Sequence, residues 1–212
     1  MITYSVIFGV IIAYLIGSIA TSVWIGRVFF GVDIRTLGSG NAGATNTIRV
    51  LGPKPGIIVL LLDAFKGWLA VFIGGFFAPG FYVPEQVVNF ELVLALVAVL
   101  GHIFPIYVGF KGGKGVATLV GVIIALYPSS FFVVFAVFLC VLIFSGYVSL
   151  SSITSALAFP FICVFLFKVS YPSLIIFSIL IAIFIPLTHK KNIARLLNGT
   201  ENKFKIKKRN KH

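Results

Sequence analysis

Residues 90–118 read FELVLALVAVLGHIFPIYVGFKGGKGVAT. The first part, 90–107, is an apolar run close to the ~20 residues that carry a helix across a bilayer. It ends in a loop where Lys111 and Lys114 stand among Gly109, Gly112, Gly113 and Gly115, with His102 and Pro105 just before it. Glycine lets the backbone come close to a ligand, and two ammonium groups within four positions hold negative charge. A hydrocarbon-length run that stops in a cationic glycine loop places an anion site at the edge of a membrane.

The rest of the chain has the same character. It has 212 residues, 59% of them hydrophobic and 10% charged, and its mean hydropathy of +1.12 is that of an integral membrane protein. Seventeen basic residues against five acidic ones give a formal charge of +12. These charges sit between apolar runs and at the end of the chain, where Lys and Arg mark cytoplasmic loops and anionic lipid surface rather than a nucleic-acid partner. The start lacks a positive n-region and its apolar run is longer than a secretory h-region, so it reads as an uncleaved first span. Cys140 and Cys163 lie inside apolar runs and form no metal pattern.

Taken in order, span 2–26 is followed by the basic stretch 27–54, which is expected inside. Span 55–77 leads to an outer loop, 78–89, with Glu85 and no Lys or Arg. After span 90–107 and the glycine-lysine loop, residues 116–146 are expected to form two short spans broken at Pro128. A polar cytoplasmic stretch at 145–152, a span at 153–167, an outer turn at 168–172 and a last span to 187 complete the bundle. The expected fold is therefore all-α, one polytopic domain over 1–212. It has seven transmembrane helices, with five as the fallback, the N-terminus outside and a basic cytoplasmic tail at 189–212.

Three polar islands then fall on one face of the membrane. The first, RTLGSGNAGATNTIR at 35–49, offers backbone amides, hydroxyls and Arg49 as a bidentate partner for phosphate. Its Gly38, Gly40 and Gly43 match G-x-G-x-x-G, but a dinucleotide fingerprint needs a preceding strand, and a flexible polar turn is the plainer alternative. The second is the glycine-lysine loop, in which Lys114 is followed by Gly115 rather than Ser or Thr, so no nucleotide is implied. In the third, HKKNIARLLNGTENK at 189–203, the three-and-four rule puts His189, Asn192 and Arg195 on one helix face and Ile193, Leu196 and Leu197 on another. The plainer alternative there is an amphipathic interfacial helix. Asp63 and Lys66, three apart within the second span, are read first as an internal ion pair; a solute path is the competitor and would make the chain a transporter. Neither His102 nor His189 is followed five positions later by Asp, and there is no G-x-S-x-G elbow.

GSGNAGATNTIR at 38–49, GHIFPIYVGFKGGKGVAT at 101–118 and HKKNIARLLNGTEN at 189–202, with LDAFKG at 62–67, resemble in order and spacing the motifs of the bacterial PlsY family, acyl-phosphate:glycerol-3-phosphate acyltransferases. Ala20 departs from the family's pattern, where proline is expected, and puts a local kink in the first span in question. The resemblance implies a seven-helix inner-membrane enzyme with its site on the cytoplasmic side. It would transfer an acyl group from acyl phosphate to the 1-hydroxyl of glycerol 3-phosphate, giving lysophosphatidic acid and phosphate. No cofactor, coenzyme A or acyl carrier protein is expected to take part directly. The catalytic candidates are Ser39, Arg49, His102 and Asn192. Asn41, Thr45, Lys111, Lys114, Ser149, His189, Arg195 and the amides of Gly112 and Gly113 are expected to bind the substrates and their phosphates.

Overall fold

The computed structural model describes residues 2–78 and 83–204, and among them there are helices and no strands. Helices are what the sequence demands, because a backbone in hydrocarbon must satisfy its own polar groups. They are α1 (Ile2–Gly17), α2 (Thr21–Phe30), α3 (Ala44–Leu51), α4 (Pro53–Phe72), α5 (Gly74–Phe77), α6 (Pro84–Ile103), α7 (Val116–Leu126), α8 (Pro128–Ser145), α9 (Val148–Phe161), α10 (Pro172–Thr188) and α11 (Lys190–Leu197). Pro53, Pro84, Pro128 and Pro172 each open a helix, where proline's missing N–H costs nothing and its φ is already helical. The break expected at Pro128 is one of these starts.

Four segments are long and apolar enough to cross a membrane: Pro53–Phe77, Pro84–Val108, Pro128–Ser145 and Val148–Leu166. Two bent pairs, α1 with α2 at 43° and α10 with α11 at 62°, raise the number to six if each counts as one span. The remaining apolar helix, α7, has 11 residues and rises about 16 Å, roughly half a bilayer core.

The span expected at 153–167 starts earlier, inside the polar stretch 145–152: α9 begins at Val148, and Ser149, Ser151 and Ser152 are buried in its first turns. Ser151 and Ser152 donate to the carbonyls of Tyr147 and Val148 one turn back, which satisfies their hydroxyls inside the helix. The first span is not continuous, although Ala20 stands where a proline would explain a kink. The carbonyl of Ile19, left over at the break, accepts the Lys66 ammonium at 2.8 Å. Lys66, paired with Asp63 on α4, thus satisfies the backbone at a break that no proline makes.

Helices pack closely through glycine. A Cβ on Gly67 would strike the Thr118 carbonyl and one on Gly121 the Ala64 carbonyl, so α4 and α7 touch backbone to backbone. Gly17 and Gly101 do the same for α1 and α6. With no hydrophobic gain from burying one helix against another in lipid, such small-residue contacts supply the packing. Large side chains instead face outward, among them Phe132, Ile143, Phe144 and Phe165. The largest buried cluster joins α6 to α10 around Phe159, Val122 and Ile181. The basic residues Lys205, Lys207, Lys208, Arg209 and Lys211 lie outside the described residues.

Candidate active site

A cavity of about 780 Å³ opens where the three polar islands meet, and an apolar groove runs from it between α4, α7, α8, α9 and α10. From the first island Ser39, Asn41, Thr45 and Arg49 line it. From the second come His102 and Lys114. From α9 and the third come Ser149, His189, Asn192 and Arg195. The three and four spacing read from the sequence of α11 does place Asn192 and Arg195 together on the cavity side.

Three expected residues are elsewhere. Lys111 is exposed and outside the lining. The Gly112 and Gly113 amides donate to the carbonyls of Ile103 and His102 at 3.0 and 3.2 Å, so they are not free to meet a phosphate. The glycines serve geometry instead: a Cβ on Gly113 would collide with the His102 ring, and one on Gly112 with the His102 carbonyl. The loop can lie on the histidine only because both side chains are absent.

Free amides are supplied by helix starts instead. The N-termini of α3, α7 and α11 all border the cavity through Thr45, Val116 and Lys191, and no side chain caps any of them. The first N–H groups of a helix lack intrahelical partners and carry a positive partial charge, so each start is suited to an anion.

Each island is braced by residues that sequence reasoning passed over. Asn46 is buried on α3; its amide nitrogen donates to the carbonyls of Ile34 and Leu37 at 3.0 Å each, and its oxygen accepts from Ser39 N–H at 2.8 Å. That holds the Ser39 turn in place. Arg35 joins the first two islands by donating to the Val108 and Lys111 carbonyls at 2.8 and 3.1 Å, while its guanidinium keeps the Asp33 carboxyl well below the usual range. Glu201 does the same for the third island: it accepts from Ser149 Oγ at 2.8 Å, Asn192 Nδ2 at 2.7 Å and Arg195 Nε at 2.6 Å. Burial pushes Glu201 up, but these three donors outweigh it and hold the carboxyl ionised below its ordinary value. Asn192 in turn accepts from Lys114 Nζ. Only the polarity of these residues was visible in sequence; their convergence is tertiary.

Asp63 and Lys66 form the expected pair at 2.8 Å, both buried. Thr21 Oγ1 donates to the same Asp63 oxygen at 2.9 Å. Asp63 also lines the cavity, with that oxygen 3.8 Å from His102 Nδ1. The pair is therefore structural and, at the same time, the acidic neighbour of the histidine.

The fold and the site define a helical membrane protein that can hold phosphate groups at one end of a cavity and a hydrocarbon chain along the other. A model of the glycerol-3-phosphate acyltransferase family matches residues 7–199. A glycerol-3-phosphate acyltransferase of Fusobacterium nucleatum is 46% identical over 93% of this chain and 97% of its own length. The one from Chlorobaculum tepidum is 39% identical over 99% and 100%. A crystal structure of PlsY, an integral membrane glycerol 3-phosphate acyltransferase in its glycerol 3-phosphate form, superposes with a TM-score of 0.83 at 41% identity, covering 95% of this chain and 96% of that one. Its lysophosphatidic acid form gives 0.79 at 40% identity over the same shares. The chain belongs to the glycerol-3-phosphate acyltransferase family and is an acyltransferase.

Proposed function

We propose that the enzyme transfers a fatty acyl group from an acyl phosphate to the 1-hydroxyl of glycerol 3-phosphate. The carbonyl carbon's bond to phosphate oxygen breaks, an ester bond to the glycerol oxygen forms, the hydroxyl proton is removed, and inorganic phosphate leaves with 1-acylglycerol 3-phosphate as product. This would be the first acylation of phospholipid synthesis. The observation that carries the reading is the single cavity joining Arg49, Lys114, Arg195 and three uncapped helix starts to an apolar groove. Both substrates carry phosphate, and the donor alone carries a chain.

An acyl phosphate is already activated, so the protein has mainly to orient the hydroxyl and stabilise charge on the carbonyl oxygen and leaving phosphate. Arg49 and Lys114 neutralise the phosphates, with Thr45, Asn41 and the α3 and α7 amides as donors. Ser39 and Asn192 position the acceptor, while Ser149, His189 and Arg195 complete that wall. Lys111, exposed beside the mouth, draws anions in without holding them. His102 takes the hydroxyl proton or, where a substrate phosphate takes it, orients the acceptor. His102→Ala separates the two: a base is worth about 10²–10⁴-fold, and a loss of that size with a changed pH profile supports it, whereas a small loss with the profile intact assigns the proton to phosphate. Neither coenzyme A, a carrier protein nor any cofactor is needed in this scheme. The site faces the cytoplasm of a bacterial inner membrane, in a single domain that crosses seven times with α7 as the short span, the N-terminus outside and the tail inside.

Purified protein in lipid, given acyl phosphate and labelled glycerol 3-phosphate, tests the proposal. Phosphate release that depends on the acceptor and matches labelled lipid is expected. Solute flux across vesicles with no lipid formed would replace it with the transporter reading that Asp63 and Lys66 first suggested.

A further inference from the structure

The groove leading from the polar site is layered. At its mouth stand Leu142 of α8 and Ser149 of α9. One turn before its far end come Val134, Ala156 and Ile185, and at the end itself Phe131, Phe159 and Ile181. Beyond those, buried side chains close the end. Tyr127 is buried outside the lining, its hydroxyl donates to the Leu174 carbonyl at 2.7 Å, and its ring meets Phe159 edge-on with centroids 4.9 Å apart. Leu174 and Phe177 fill the space behind. The flank is different: Leu61, Ile124, Phe135 and Leu139 line the groove and are also exposed, so a chain can enter sideways from lipid but meets a stop lengthwise.

We infer that the Phe131–Phe159 plate, backed by Tyr127, measures the acyl chain and sets the longest donor used well. The inference rests on the acyl-transfer reading above. From Ser149 to Phe159 is ten residues of helix, about 15 Å at ~1.5 Å each. A staggered hydrocarbon with ~1.52 Å bonds at ~111° advances about 1.25 Å per carbon, so about a dozen carbons lie between the mouth and the plate. A longer chain has to bend out through the open flank and leave groove surface uncovered. The loss is graded with each carbon beyond the plate, through the packing contacts and the carbonyl registry that a bent chain gives up rather than through exposure to water.

The layering gives variants of opposite sign. Ala156→Leu fills the layer about 4.5 Å nearer the mouth, and should shorten the preferred chain by about three to four carbons. Phe131→Ala opens the plate and should lengthen it. The measurement is kcat/KM on acyl phosphates of graded even length in mixed micelles, compared within each variant, so the amount of folded protein cancels. Opposite shifts in the two variants are expected. Unchanged length preference in both overturns the plate while leaving acyl transfer standing. Failure of the unmodified enzyme to use any acyl phosphate removes the transfer reading, and the plate with it.

Discussion

Lys114 reaches into the cavity from the loop before α7, and burial, with Arg195 beside it and Glu201 opposing, pushes its ammonium down to about 8. Below that pH the group is charged and can hold a phosphate; above it the charge is lost. The free enzyme's kcat/KM for glycerol 3-phosphate is therefore expected to fall on the alkaline side near pH 8. Lys114→Arg, which stays charged, should abolish that limb, and an unchanged limb in this variant would remove Lys114 as its source. Glu201 acts one step further out, because it touches Ser149, Asn192 and Arg195, which line the cavity. Glu201→Ala leaves all three donors without their acceptor, at about 1.5–3 kcal/mol for each charge-assisted bond. At least a tenfold loss of activity is expected, with Glu201→Gln retaining more because one acceptor oxygen remains. Equal activity in Ala, Gln and unmodified proteins would contradict the bracing role.

At the scale of elements, the site depends on helices approaching more closely than side chains normally allow. Gly121 of α7 lies against the Ala64 carbonyl of α4, one residue from Asp63, and Gly101 of α6 lies against α1 one residue before His102. Overpacking of this kind costs about 1–3 kcal/mol, and more where the neighbour is backbone. Gly121→Val and Gly101→Val should lower the melting temperature in detergent and cut activity together. Gly113→Ala presses on the His102 ring and on the Ala42 carbonyl of the first island, so it should cut activity more than it lowers melting. A melting loss equal to that of Gly121→Val would show that the loop is structural rather than a seat for the histidine.

Over the described residues, basic side chains gather at one end of the bundle. Arg49, Lys114 and Arg195 line the cavity there and Arg35 bridges two of its islands, while Glu85 begins α6 at its opposite end from His102 and Lys168 stands in the turn between α9 and α10, also away from the cavity. Single cysteines in a background with Cys140 and Cys163 replaced report the orientation. In intact cells an impermeant maleimide is expected to label Glu85→Cys and to spare Lys54→Cys and Thr200→Cys. Labelling of Lys54→Cys or Thr200→Cys from outside would reverse the proposed topology.

Hydrophobic run length, positive charge and proline placement are local properties, and they determined a helical membrane protein, the break at Pro128 and the three polar islands from the sequence alone. The face of α11 that carries Asn192 and Arg195 was legible for the same reason, since helical periodicity is local. What only the tertiary structure decided were meetings between distant segments. Asp63 stands at once against Lys66, Thr21 and His102, Glu201 returns from the tail to clamp α9 and α11, and the Gly112–Gly113 amides turn to α6 rather than to a ligand. A lone carboxylate or glycine does not show in sequence which carbonyl or cation it will meet, because that depends on backbone packing across the bundle.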